Sequence, residues 1–263
     1  MSNRTYLMKK IIFTSFVVLL ATLAASTIEA SHSWKTYHWA RTVNPFTLKL
    51  GDNVSSIWDP YLSTTSADWS VSQVLKTSIM PGLGGKNCKP VLGRVEVCNR
   101  KYGNNGWLGI AQIWINGGHI VQGVTKMNDT YFNIPKYNNP NEKLHVICQE
   151  IGHTFGLDHQ SEDGSSQNSC MDYFSNTGAN ATNPASTHPN THDYEQLESI
   201  YAHLETFTTV RSSTTSASAL EPDGENPATW GKIIRESKNK KTSVFERDLG
   251  KGNKIFTFVT WAE

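Results

Sequence analysis

The chain has 263 residues, with 24 Lys and Arg against 23 Asp and Glu, a formal net charge of +1. That balance removes any electrostatic case for nucleic acid or an acidic polymer as the main partner. The length holds one good-sized domain with additions, and eight Trp and nine Tyr argue against a disordered chain.

Lys9 and Lys10 precede an uncharged run from Ile11 to Ala25, and small residues follow up to Ala30. This order of charged region, apolar region and small-residue cleavage site predicts a signal peptide over residues 1–30. The apolar run is shorter than the ~20 residues a spanning helix needs. A secreted, extracellular chain with no stable membrane insertion after cleavage is therefore expected. Export gives the four cysteines, Cys88, Cys98, Cys148 and Cys170, a disulfide reading. Three pairings are open. We favour Cys88–Cys98, which closes a short loop bearing Pro and Gly, with Cys148–Cys170 as the other. No Cys-x-x-Cys pair occurs, which speaks against a four-cysteine zinc site.

From the expected cleavage point onward, Pro45 to Leu50 alternates as a short strand. Ser66 to Leu75 reads as a helix capped by Ser66. Strand-like runs follow at Arg94–Cys98, Trp107–Ile115 and Ile120–Met127, the last two joined by a turn at Gly117-Gly118. Glu142 to Phe155 has helical spacing, with Leu144, Cys148, Ile151 and Phe155 on one side and Gly156 placed to end it. A second helix is expected over His192–Leu204. Thr206 to Pro227 is rich in Ser, Thr and Ala and reads as a linker. Ser243–Arg247 and Lys254–Trp261 then suggest a terminal hairpin that must pack on something to be stable.

The chemistry-bearing segment is residues 149–159, Gln-Glu-Ile-Gly-His-Thr-Phe-Gly-Leu-Asp-His. Positions 149 and 153 stand one helical turn apart on one face, so two ligands there can meet one metal. Glu150 can stand beside the metal as a base. Gly156 lets the chain leave the helix sharply and bring His159 back. Ser169-Cys170-Met171-Asp172-Tyr173 follows shortly after.

These residues resemble the metzincin zinc metalloproteases, whose signature is His-Glu-x-x-His-x-x-Gly-x-x-His. Glu150, His153, Gly156 and His159 match it; Gln149 stands where the first histidine ligand belongs. Met171 resembles the family's Met turn, and Tyr173 resembles the tyrosine of astacin-like members, which implies an oxyanion hydrogen bond. Cys148–Cys170 would then tie the active-site helix to the Met turn.

The resemblance is matrixin-like and covers residues 31–204. It implies an α+β fold: a mixed, mostly parallel twisted sheet with an active-site helix and a C-terminal helix. A linker over 205–228 and a β-hairpin extension over 229–263 lie beyond it. Trp107–Phe132 resembles the cleft-rim strand that pairs with extended substrate. The implied function is a secreted zinc metalloendopeptidase with one catalytic zinc on Gln149, His153 and His159, acting on extended peptide or protein. The resemblance also admits structural calcium, although no loop carries a calcium-binding pattern.

A carboxamide is a weaker zinc donor than imidazole, so an inactive metzincin-fold module that binds peptide or protein is the alternative. His145, eight residues before His153 and about 12 Å away along the helix, cannot share an ion with it. His188, His192 and Asp158 are further substitutes that no spacing favours. Oligomeric state is not legible in the sequence.

Overall fold

Burial of alternate apolar side chains turns Phe46–Asn53 into β2, with Phe46, Leu48 and Leu50 inside. In the computed structural model this strand lies in one sheet with most of the others, and residues 32–161, 163–210 and 224–262 are described. The expected signal segment and most of the Ser/Thr-rich stretch lie outside the described residues. The remaining strands are β1 (His38–Trp39), β3 (Leu75–Pro81), β4 (Val95–Arg100), β5 (Trp107–Asn116), β6 (His119–Asn128), β7 (Lys232–Glu236), β8 (Thr242–Gly250) and β9 (Asn253–Trp261). Their order is β3-β2-β4-β6-β5-β9-β8-β7, with β1 pairing β6.

The fold is mixed α+β. The pairs β2–β3, β2–β4, β4–β6 and β1–β6 are parallel. The pairs β5–β6, β5–β9, β8–β9 and β7–β8 are antiparallel. The expectation of a mostly parallel sheet therefore describes only one half of it. The C-terminal hairpin does not stand apart: β9 pairs along β5 from Trp107↔Trp261 to Ile115↔Lys254 and extends the sheet. β5 is buried from Trp107 to Ile115 and β9 is buried from Ile255 to Val259, as a central position demands.

The early helix lies seven residues earlier than the Ser66–Leu75 reading, overlapping it only over 66–69, and is not capped by Ser66. It is α1 (Asp59–Trp69), begun by Asp59 and Pro60 at its first turn. Ser66 is internal, and its hydroxyl meets Thr77 Oγ1 at 2.7 Å. Leu75 opens β3, whose polar Lys76-Thr77-Ser78 run hides a strand parallel to β2. A short α2 (Asp129–Phe132) follows β6. The site helix α3 (Pro140–His153) starts at Asn139, whose side chain accepts from the Glu142 N–H at 2.9 Å, and Pro140 takes the first turn. The last helix, α4 (Thr191–Ile200), is closed at its start by a capping box of Asn190 and Asp193. It stops four residues short of the expected Leu204.

The main core lies between one sheet face and the helices. Trp69 of α1 donates to the Cys148 carbonyl of α3 at 3.2 Å, and Trp39 of β1 donates to the Thr154 carbonyl at 2.9 Å. Phe256 and Phe258 of β9 enter this core, each with its ring 5.3 Å from Trp34. On the opposite face, Trp107, Ile110, Trp230, Phe245 and Val259 form a second cluster. Two disulfides, Cys88–Cys98 and Cys148–Cys170, join the favoured pairs. No helix among the described residues is long and apolar enough to cross a membrane.

Lys126 of β6 is buried, with its ammonium 3.2 Å from Glu225 Oε1 and 5.6 Å from the centre of the Tyr102 ring. Burial pulls its pKa down from 10.5 to about 8, against the opposing pull of Glu225. The unfolded chain thus holds this proton more tightly. Stability should rise between pH 8 and pH 10.5, and the same contribution is lost as pH falls through 8. Lys126→Met should remove that rise and gain about 3 kcal/mol at pH 7, the free energy of the shift. Urea unfolding at pH 7 and pH 10 reads this out. An unchanged pH slope in the variant would assign the effect elsewhere.

Candidate active site

Helix α3 presents Gln149, Glu150 and His153, all of them buried. Gly156, at φ +97°, turns the chain away from the helix, and a Cβ there would lie 2.5 Å from the Tyr37 carbonyl oxygen. The turn returns His159 to the helix. The Nε2 atoms of His153 and His159 stand 3.1 Å apart. His153 Nδ1 lies 3.0 Å from the Leu157 carbonyl oxygen. A carbonyl only accepts, so Nδ1 carries the proton and Nε2 of the neutral ring offers a lone pair. Burial first, and the neighbouring His159 second, push the His153 pKa down to about 3, so the ring is neutral.

Met171 lies under the helix. A Cβ on Gly152 would come 2.5 Å from Met171 Sδ and 2.8 Å from Trp69 Cζ2, so only glycine permits this approach. Cys148–Cys170 clamps the same two segments. The Tyr173 ring sits 4.2 Å from that of His159. The structure thus brings together His153, His159 and Tyr173, with Met171 packed against the helix beneath them; Glu150 stands on the same helix and meets Thr260.

Gln149 is engaged elsewhere. Its amide nitrogen donates to the Cys170 and Asp172 carbonyls at 2.9 and 2.7 Å. Its oxygen accepts from Thr260 Oγ1 at 2.9 Å. The same hydroxyl lies 2.8 Å from Glu150 Oε1. Glu150 Oε2 is buried and finds no hydrogen-bond partner among the described residues. Burial raises the Glu150 pKa to about 8, against the lowering effect of Thr260.

The substitutes considered for the first ligand have other partners. His145 meets Asn176 Oδ1 at 2.9 Å, His188 meets Asp68 Oδ2 at 2.6 Å, and the His192 ring packs on that of His32. Asp158 pairs with Arg235 of β7.

The C-terminal strand closes the site, and no local sequence signal marks it for that role. Phe258 stacks on His153 with ring centres 4.4 Å apart and planes 9° apart. Thr260 holds Gln149 and Glu150 together. The expected substrate edge of β5 is thus already occupied, since β5 is paired by β6 on one side and β9 on the other. A recess bordered by Gln149, Tyr173, Thr260 and Trp261 opens beside the centre, and Glu150, His153 and His159 do not line it.

No protein-family model matches the chain, and no curated protein matches it.

Proposed function

We propose that the chain is a secreted, zinc-dependent peptide hydrolase of metzincin type whose centre is covered by its own strand β9. The observation that carries this reading is the convergence of His153 and His159, with Nε2 atoms 3.1 Å apart. That spacing suits neighbouring ligands of a tetrahedral ion with bonds of about 2.0–2.1 Å. His153 and His159 would hold the zinc, with Gln149 Oε1 as third donor once Thr260 releases it. When bound, the ion would polarise a carbonyl and lower the pKa of water. Glu150, with one buried oxygen unpartnered, takes up a proton. Tyr173, whose ring packs beside His159, would steady a developing oxyanion. The peptide class rests on the metzincin resemblance of residues 149–173.

The occupied Gln149 amide favours a second reading, in which the fold is kept for binding without turnover. Thr260→Val separates the two. It removes two hydrogen bonds that pin β9 to α3, about 1–3 kcal/mol together. Chelator-sensitive cleavage of an unstructured peptide should rise about tenfold, as 1.4 kcal/mol implies. Zinc-loaded parent and variant that both fail to cleave would establish the second reading.

A further inference from the structure

His38 of β1 and His119 of β6 are register partners, and the chain beyond α4 brings His203 and Glu205 to them. Three imidazoles converge on one atom. The Nε2 atoms of His38, His203 and His119 lie 2.6, 3.0 and 3.7 Å from Glu205 Oε1. Arg41 holds the other carboxylate oxygen, with Nη1 at 2.9 Å and its backbone N–H at 3.1 Å. Oε1 is therefore the oxygen left to face the histidines.

The tautomer of His38 sharpens the point. Its Nδ1 lies 2.7 Å from the Thr36 carbonyl oxygen, so Nδ1 carries the proton and the Nε2 of the neutral ring is a bare lone pair. At 2.6 Å it faces a carboxylate oxygen, which is also a lone pair. A proton or a metal cation must lie between them. His38 and His203 both lie within hydrogen-bond distance of this one oxygen, and one cation can take these donors at once. A ring fixed through Nδ1–H to a carbonyl, with Nε2 free for the metal, is the usual support of a histidine ligand. His38, His203 and Glu205 each offer one ligand atom to a common space, and their 2.6 and 3.0 Å contacts would open to about 3.4 Å around a tetrahedral ion with bonds of about 2.0–2.2 Å. Access is also present: the side chains of His38 and Glu205 are 8% and 9% exposed, while that of His203 is 64% exposed.

We infer that His38, His203 and Glu205, with His119 alongside, form a zinc-type metal site separate from the His153–His159 pair. Imidazole nitrogens with one carboxylate select a borderline transition metal over calcium or magnesium. The ion fastens β1 and the start of β6 to the segment that follows α4, so its role is structural.

The experiment is zinc titration of the full chain by calorimetry, in a His153→Ala background that removes the other pair. One equivalent should bind, and adding His203→Ala should weaken it by at least about 100-fold, or 2.7 kcal/mol. His203 is mostly exposed, so its loss leaves the fold in place. Cobalt(II) in the same background should give tetrahedral d–d absorption that His203→Ala abolishes. Absence of zinc binding in the His153→Ala chain would overturn the inference. So would binding indifferent to His203→Ala, which would leave a proton shared by His38 and Glu205 as the account of the cluster. Neither result bears on the His153–His159 pair, which is absent from the background used.

Discussion

Glu150→Gln is expected to lower peptide hydrolysis by about 10²–10⁴-fold, the usual contribution of a positioned general base, while the thermal midpoint and zinc content stay near those of the parent. The amide has the shape of the carboxylate, and its NH2 can donate to Thr260 Oγ1, now 2.8 Å from Glu150 Oε1, while the hydroxyl donates to Gln149. The amide cannot take up a proton. Burial raises the Glu150 pKa to about 8, which makes the carboxylate a stronger base than one in water and suits it to work near neutral pH. Initial rates on an unstructured peptide, with circular dichroism as a fold control, measure the effect. A variant that keeps the parent rate would take Glu150 out of the chemistry.

The largest loss of stability is expected from Gly156→Ala, at about 2–4 kcal/mol, from adding backbone strain to an overpacked contact. The residue sits at φ +97°, and the new Cβ would meet the Tyr37 carbonyl oxygen at 2.5 Å. Neither partner can give way cheaply, because the obstacle is backbone. The consequence reaches the site, since the segment displaced carries the Leu157 carbonyl that fixes His153 and leads to His159. Gly103→Ala is the control: φ is +92°, but nothing lies within 4 Å of the added Cβ, so it should cost only about 1–2 kcal/mol. Equal losses in the two variants, measured by urea unfolding, would show that φ alone matters at position 156.

The sequence carried the site helix well, because a one-turn repeat of chemistry-bearing residues and an apolar stripe agree on the same segment. Glycine after the helix and the Met171 segment were legible for the same reason: each is local. Cys148 and Cys170 could be paired because the favoured short loop at Cys88 and Cys98 left them together. What stayed hidden depends on distant partners. Leu75 reads as the end of a helix and residues 76–81 as no element, since Lys76, Thr77 and Ser78 show no apolar alternation, yet pairing with β2 makes Leu75–Pro81 a strand. The terminal hairpin was visible, but its attachment to β5 was not, because nothing in 253–261 names its partner. Thr260 therefore gave no hint that it bonds Gln149 and Glu150, 111 and 110 residues away. His38, His119, His203 and Glu205 share no motif spacing, and only the register of β1 on β6 and the course of the chain after α4 bring them together.

The strand across the centre also explains the glutamine in physical terms. A histidine at 149 could not donate to two carbonyls and accept from Thr260 at once. The amide can, and it knits α3, the Met171 segment and β9 into one bonded unit. Whether that unit still takes up metal decides the account. The most direct measurement is the zinc content of the full chain after dialysis, made in a His203→Ala background so that only the His153–His159 pair is counted. The account predicts one zinc per chain, lost on adding His153→Ala. A zinc-free chain, after exposure to zinc and with its fold intact, would contradict it.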